Sequence, residues 1–151
     1  MVMNMNLKDW LNNGWLIEHN SSPQEISGLL GLADRDLADC QTPKLSADWR
    51  LNIAYNAALQ MAVVALAASG YRAAREGYHY RVIQSLAYTI GADTEKIAQV
   101  DAFRKKRNIS DYEMAGTVSK QEAKEMFLLA KKLRDEVEKW LKNEHPELIQ
   151  D

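Results

Sequence analysis

The chain has 151 residues, of which 46% are hydrophobic and 26% charged, so it is long enough for one domain with its own core. The formal net charge of −2 excludes attraction of the whole surface to nucleic acid or acidic membranes. Any such binding must therefore come from a local patch. The single cysteine, Cys40, excludes an internal disulfide, and its apolar-periodic surroundings predict a buried small side chain.

No segment predicts a membrane span or a targeting signal. The N-terminal residues lack a basic region followed by an apolar stretch, so we expect no signal peptide. The most apolar run, residues 57–68, is shorter than the ~20 residues that a bilayer requires and is typical of a buried central helix. We therefore expect a cytoplasmic protein that does not contact a membrane.

The first half of the chain predicts three helices. A short helix over residues 5–18 is interrupted by a glycine, and Ser22 then precedes a proline as the start of a helix over 23–41. A long, alanine-rich third helix is predicted over 46–69, with Gly70 as its stop signal. No alternating strand pattern competes with these assignments.

The second half predicts three more helices. A fourth covers 78–90, and a fifth begins at Thr94 and becomes strongly basic at residues 104–107. Ser119 and Glu122 have the spacing of a capping box that opens the last helix. That helix carries an apolar stripe that predicts packing against the rest of the fold: Met126, Ala130, Leu133, Val137 and Trp140.

The predicted fold is therefore all-α, an up-and-down bundle of about five long helices plus a short N-terminal helix. We expect an N-terminal helical segment over 1–21, the bundle over 22–143 and a C-terminal tail over 144–151. Trp10 and Trp15 are expected to fasten the leading segment to the bundle or to a partner subunit.

A polar stripe runs along the third predicted helix. Asp48, Asn52, Asn56 and Gln60 recur every fourth residue and so share one face of a helix that is otherwise apolar. Two interpretations remain open: a solvated edge of a buried helix, which we favour, and a stripe that faces a binding site.

The densest group of chemically capable residues lies in the fifth predicted helix. Arg104, Arg107, Asn108 and Asp111 share a face if the helix continues, and arginine and asparagine suit the binding of a phosphate group. The alternative is a solvated basic face with an ordinary salt bridge between Arg107 and Asp111.

These residues, with two other stretches, resemble the HEPN superfamily of small helical bundles. The resemblance covers residues 22–142 and is carried by three motifs in order. They are Asn52 to Gly70 with the following Tyr-Arg, the stretch Gly77-Tyr-His-Tyr-Arg-Val-Ile, and Phe103-Arg-Lys-Lys-Arg-Asn-Ile-Ser-Asp-Tyr112. The family occurs alone or beside nucleotidyltransferase domains in toxin–antitoxin and defence loci.

The resemblance implies a homodimer that joins two copies of the arginine motif in a cleft, where active members cut RNA without a metal. Arg107 matches the family arginine and Asn108 the asparagine that often follows it. Where the family has a histidine, this chain has Tyr112, which is a poor general base at neutral pH. His79 is the alternative proton acceptor, although a histidine at a helix start is more often a capping or surface group.

Three functional hypotheses follow. The first is a non-catalytic or weakly catalytic HEPN-like dimer that binds RNA, a nucleotide or a protein partner, such as a nucleotidyltransferase or an antitoxin. The second is a metal-independent ribonuclease that uses Arg107 with Tyr112 or His79. The third is a plain helical interaction domain. We expect no metal site and no cofactor, since no metal-ligand spacing or phosphate-cradling glycine loop occurs.

Overall fold

The computed structural model describes residues 5–112 and 118–149, and among these the side chains of all but 108–112. The all-α prediction is confirmed, with one small sheet added. The elements are α1 (Leu7–Asn12), β1 (Leu16–Glu18), α2 (Pro23–Asp39), α3 (Ala47–Ala68), β2 (Tyr71–Ala73), α4 (Tyr78–Gln84), α5 (Thr94–Tyr112) and α6 (Lys120–Glu144).

The helix α3 forms the centre of the bundle. It is apolar on nearly all sides, and α2 and α6 pack along it most extensively. Alanines such as Ala58, Ala62 and Ala65 are fully or almost fully buried, so neighbouring backbones approach closely where they lie. By length and composition α3 is also the one described helix that could cross a membrane, but 72% of its apolar 18-residue stretch is buried inside the fold.

The last helix, α6, packs on α3 through the predicted apolar stripe. Met126, Ala130, Leu133 and Val137 are buried as expected, and Leu141 rather than Trp140 completes the stripe. On the polar side Arg134 holds α6 to α2, since its guanidinium donates to both carboxylate oxygens of Asp34 at 2.8 and 3.0 Å. The stripe and this ion pair together fix the position of α6.

Three helix starts agree with their predicted capping residues. The hydroxyl groups of Ser22, Ser46 and Ser119 each accept a hydrogen bond from a backbone N–H of the first turn, at 3.0–3.2 Å. Ser119 and Glu122 form the complete capping box, because Glu122 also accepts from the Ser119 N–H at 3.0 Å. The sequence signals for these starts are local, which is why they predict the structure well.

The prediction of no strand, and of a helix over 5–18, is wrong at the end of the leading segment. The helix ends at Asn12, Gly14 adopts a left-handed conformation with φ +79, and β1 then pairs antiparallel with β2, Leu16 opposite Ala73. A three-residue strand is too short to show an alternating pattern, so tertiary pairing determines it.

Aromatic side chains fasten this leading segment to α4, as predicted for Trp10 and Trp15. Trp10 is buried and meets Trp15 and Tyr88 edge to face, with ring centroids 5.9 and 5.3 Å apart. The guanidinium carbon of Arg81 lies 3.9 Å from the Trp15 ring centroid, while the Arg81 Nε is buried with no hydrogen-bond partner in the described part of the chain. This cation–π contact therefore holds Arg81 in place.

The fourth helix is shorter than predicted. It ends at Gln84 instead of residue 90, and a 3₁₀ turn over Ser85–Ala87 follows. The buried Ser85 hydroxyl donates to the Val82 carbonyl at 2.6 Å. A side-chain hydrogen bond of this kind competes with the backbone hydrogen bonds that would continue the helix. In the C-terminal tail a second 3₁₀ turn, Pro146–Leu148, brings Leu148 and Ile149 against the core.

Candidate functional site

Three helices bring together one group of polar and aromatic side chains, which we call the Arg107 cluster. It consists of Asn52 and Tyr55 from α3, His79 from α4, and Arg104 and Arg107 from α5. Asn52 and Tyr55 lie three apart in α3, and Arg104 and Arg107 three apart in α5, so each pair shares a helix face. The short α4 begins at Tyr78 and places His79 beside Tyr55.

Arg107 is fixed by two residues that are 52 and 55 positions away in sequence. Its Nε donates to Oδ1 of Asn52 at 2.9 Å, and its guanidinium carbon lies 5.3 Å from the Tyr55 ring centroid. The side-chain nitrogen of Asn52, Nδ2, donates to the Asp48 carbonyl at 3.0 Å and so orients the amide. For Asn52 the interpretation as a solvated edge is therefore wrong, since it is half-buried and binds Arg107.

His79 joins the same cluster through Tyr55. The Tyr55 hydroxyl and the His79 Nδ1 lie 3.1 Å apart, and the two rings stack with centroids 5.9 Å apart. Tyr55 is completely buried, and burial raises its pKa to about 12, so the hydroxyl keeps its proton at neutral pH. The interpretation of His79 as a capping or surface group is wrong, because the ring is half-buried and bonded to Tyr55.

The imidazole of His79 is held in its neutral form. Burial is the main cause that lowers its pKa below the ordinary 6.5, and the positive charges of Arg107 and then Arg104 lower it further. A neutral imidazole carries one N–H donor and one lone pair. The contact with Tyr55 fits two tautomers. If the Tyr55 hydroxyl donates to Nδ1, Nε2 carries the N–H, and if Nδ1 donates to the Tyr55 oxygen, the lone pair of Nε2 is left to accept a proton.

Arg104 is oriented from its own helix. Its Nε donates to Oδ1 of Asp101 at 2.7 Å, and that carboxylate is only 9% exposed. The Arg104 guanidinium carbon lies 5.7 Å from the ring centroid of Tyr80, whose ring is 45% exposed. Arg104 therefore presents its charge beside an accessible aromatic ring.

The two lysines of the basic run have different surroundings. Lys105 is largely exposed, at 67%, and its Nζ is 3.6 Å from Asp101, whereas Lys106 Nζ reaches Glu122 of α6 at 3.4 Å. The hypothesis of a solvated basic face with ordinary salt bridges therefore suits these lysines. The salt bridge predicted between Arg107 and Asp111 involves a side chain outside the described residues, and that prediction stays open. Arg104 and Arg107 differ from the lysines because they lie with His79 in the cluster.

The remaining predicted site residues, Asn108, Asp111 and Tyr112, lie in the last turns of α5, and their side chains are outside the described residues. The helical backbone does reach Tyr112. In a regular helix a residue five positions after Arg107 is rotated from it by about 140°, from 3.6 residues per turn.

Tyr55 and Asp101 are functional neighbours that the sequence reasoning did not single out. Tyr55 is three residues after Asn52 and so lies near the face of the polar stripe, which was a signal for it. Because it stands in an apolar run, the sequence suggested only a core residue. Asp101 stands three residues before Arg104, the ordinary spacing of a helical ion pair.

Among the described residues, no group of three or more histidine, cysteine, aspartate or glutamate side chains is placed to hold a metal ion. Comparison with known protein families, with curated proteins and with solved structures gives no significant match. The function of the Arg107 cluster is therefore inferred from its own residues and their geometry.

Proposed function

We propose that the chain is a HEPN-like RNA-binding domain in which Arg107 and Arg104 hold a phosphate group. The observation that carries this proposal is the position of Arg107, whose guanidinium is fixed by Asn52 and Tyr55 next to His79. A guanidinium that is oriented before binding loses less conformational freedom when it meets a phosphate. In this proposal the domain is non-catalytic or weakly catalytic, cytoplasmic and homodimeric.

The charges around the cluster favour an anionic ligand. In the described side chains, Asp101 is the carboxylate bonded to Arg104, and the amide of Asn52, which is neutral, is the group that accepts from Arg107 Nε. His79 is neutral as well, because burial and the two arginines lower its pKa. The cluster therefore gathers two guanidinium groups, which are good donors to phosphate oxygens, on a chain whose net charge is −2.

The exposed ring of Tyr80 favours RNA over free phosphate. It lies 5.7 Å from the Arg104 guanidinium carbon and 6.0 Å from that of Arg81. An exposed aromatic ring near guanidinium groups suits the stacking of an unpaired base whose phosphate lies on a nearby arginine. We therefore expect single-stranded RNA to bind better than a duplex of the same length.

The test is the binding of a fluorescently labelled single-stranded RNA, measured by anisotropy, to wild type and to Arg107→Ala. We expect the substitution to weaken binding about tenfold or more, since it removes an oriented charged donor. Arg35→Ala is the matched control, because Arg35 is a 62% exposed arginine on α2 that pairs with Asp36. Wild-type affinity should also fall as salt rises. Equal affinity of Arg107→Ala and Arg35→Ala would contradict the proposal.

The homodimer is tested separately by the concentration dependence of the molar mass in solution. We expect a dimer that persists in Arg107→Ala, because the substitution changes the ligand site and not the folded helices. A monomer at every concentration would contradict the dimer and leave RNA binding to a single chain. Co-purification with a nucleotidyltransferase or an antitoxin encoded beside the gene would identify the protein partner.

A second candidate function is metal-independent cleavage of RNA, and the neutral, oriented imidazole of His79 favours it. This reaction uses the tautomer in which Nδ1 donates to Tyr55, and Nε2 of His79 then accepts the proton of a ribose 2′-hydroxyl. The 2′-oxygen then bonds to the adjacent phosphorus and the bond to the 5′-oxygen breaks. That oxygen takes a proton from a water molecule and leaves as a hydroxyl, and the protonated His79 returns its proton to the hydroxide that remains. A 2′,3′-cyclic phosphate forms, and Arg107 stabilises the negative charge on the phosphorane.

Cleavage of a mixed pool of labelled RNAs in EDTA distinguishes the two functions. If the chain is a ribonuclease, the wild type cleaves, and both Arg107→Ala and His79→Ala lose activity by at least about a hundredfold. His145→Ala is the matched control, since His145 lies in the tail beside Trp140 and Glu147. Wild-type RNA binding without cleavage would leave the binding function, and cleavage unchanged in His79→Ala would exclude His79 as the proton acceptor.

A further inference from the structure

A second site lies at the N-terminal end of α3, where an apolar groove opens between the loop after α2, the start of α3 and the start of α6. Its volume is about 760 Å³, which is within the range of small-molecule sites. Phe127 and Leu128 provide part of an apolar wall, and Leu128 is 52% exposed. None of these residues belongs to the Arg107 cluster.

The rim of this groove carries four cationic side chains. Lys44 and Arg50 line one side, and Lys120 and Lys124 line the other, one helical turn apart on α6. No aspartate or glutamate is present among the described residues of the lining. Within the part of the chain that the structure describes, none of these four cations forms an ion pair with a carboxylate.

Arg50 is oriented toward the loop by backbone groups. Its Nε donates to the Leu45 carbonyl and one terminal nitrogen donates to the Thr42 carbonyl, both at 3.0 Å. Because carbonyl groups leave the charge uncompensated, Arg50 keeps a net positive charge at the groove. The nearby Cys40 stays a neutral thiol, since burial is the main cause that raises its pKa, so it adds no negative charge.

We propose that this groove binds a small amphipathic anion, namely a free fatty acid whose chain lies on the apolar wall and whose carboxylate meets the lysines of the rim. Charge complementarity selects an anion, because four cations surround an apolar lining that has no described carboxylate. The size selects a small molecule, since a volume of about 760 Å³ is that of a typical small-molecule pocket.

The geometry assigns separate tasks to the two parts of the lining. Phe127 and Leu128 remove alkyl groups from water, which provides affinity in proportion to the area buried. Lys120 and Lys124 provide the preference for a carboxylate, with ammonium groups that reach from one helix face. The site is independent of RNA binding, so the two proposals can fail separately.

The experiment is calorimetric titration of the full chain with dodecanoate below its micelle concentration, above neutral pH so that the carboxylate is ionised. Dodecyltrimethylammonium, with an alkyl chain of the same length and a cationic head, is the matched ligand. We expect one dodecanoate per chain and about tenfold or more weaker binding of the cationic amphiphile, because the rim repels its head group. Equal affinities for the two amphiphiles, or no binding of dodecanoate, would overturn the proposal.

Two substitutions on exposed positions test the location of the site. Leu128→Glu places a carboxylate four residues after Lys124, and Lys124→Glu reverses one charge of the rim, so each should weaken dodecanoate binding about tenfold. Leu32→Glu and Lys139→Glu are the matched controls, at a 39% exposed leucine on α2 and an exposed lysine later on α6. Unchanged affinity in both groove variants would place the fatty acid elsewhere and overturn the assignment. The two groove variants and the two controls should all bind RNA with the same affinity.

Discussion

The two sides of α3 are packed by different kinds of residue. Toward α2 and α6, α3 presents a continuous apolar surface, and buried side chains of α6 such as Leu133 and Val137 pack against it. Toward α4 and α5, α3 presents Asn52 and Tyr55, which meet His79 and Arg107 through oriented polar and ring contacts.

The difference separates stability from function. Burial of apolar side chains contributes most of the favourable free energy of folding, so the α6 side carries stability. A polar contact adds little net stability, but a buried polar group without its partner is costly. The contacts on the α5 side therefore fix the positions of the side chains that they join. Substitutions on the first side should change the free energy of unfolding, and those on the second should mainly change ligand binding.

The largest effect is expected on the apolar side. Leu133→Ala should lower the free energy of unfolding by about 3 kcal/mol, because the residue is fully buried and truncation leaves a cavity. Leu128→Ala, five residues earlier and 52% exposed, should change it by less than about 0.5 kcal/mol. Urea denaturation measures both values, and similar costs for the two variants would contradict the assigned packing of α6.

A smaller effect is expected at Asn52. Asn52→Ala should cost about 1–2 kcal/mol, since Arg107 Nε loses the acceptor that it reaches at 2.9 Å. RNA binding should weaken with it, because the guanidinium is no longer fixed. Asn56→Ala, one turn later on the same face, is the control, and an equal effect on RNA binding there would show that the Arg107 contact is unimportant.

Tyr55→Phe is expected to cost about 1 kcal/mol. The substitution keeps the ring under Arg107 and removes the hydroxyl that bonds His79 Nδ1 at 3.1 Å. Tyr88→Phe is the comparison, since that ring packs on Trp10 and is 41% exposed. Thermal unfolding of the two variants side by side measures the difference, and equal unfolding temperatures would argue against the Tyr55–His79 bond.

The smallest effect is a pH dependence at His79. Its pKa in the folded state lies below the ordinary 6.5, so the unfolded chain binds more protons between these two values. Stability should therefore fall as pH decreases below 6.5, and His79→Gln should remove that contribution. Proton NMR titration of Arg107→Gln should show the His79 pKa raised toward 6.5 but still below it, because burial remains the main cause. An unchanged pKa would place Arg107 too far away to act.

The parts of the fold that follow from local sequence were predictable. Ser46 and the Ser119–Glu122 pair mark helix starts through neighbouring backbone groups, and the stripe from Met126 to Val137 reflects one helix face. The strand Leu16–Glu18 was not predictable, because its hydrogen-bond partners lie at Tyr71–Ala73 and three residues carry no periodic signal.

The candidate site was predictable in part. Arg107, Arg104 and His79 stand out by residue type and by the resemblance to the HEPN superfamily, but no spacing in the sequence relates the arginines to the histidine. Their proximity depends on α3, which provides Tyr55 between His79 and Arg107. The decisive contact joins residues 55 apart, and only the packing of α4 and α5 on α3 establishes it.

The central position of α3 also has a consequence for synthesis. Its main partner, α6, begins at Lys120, long after α3 ends at Ala68, so an apolar helix leaves the ribosome well before the surface that covers it. We expect a chain that ends at residue 112 to bind a hydrophobic dye and to aggregate, which dye fluorescence and light scattering would measure. If that shortened chain stayed dispersed without binding dye, the early helices would shield α3 by themselves. Otherwise the nascent protein depends on a chaperone, or on rapid synthesis of α6, until that helix covers α3.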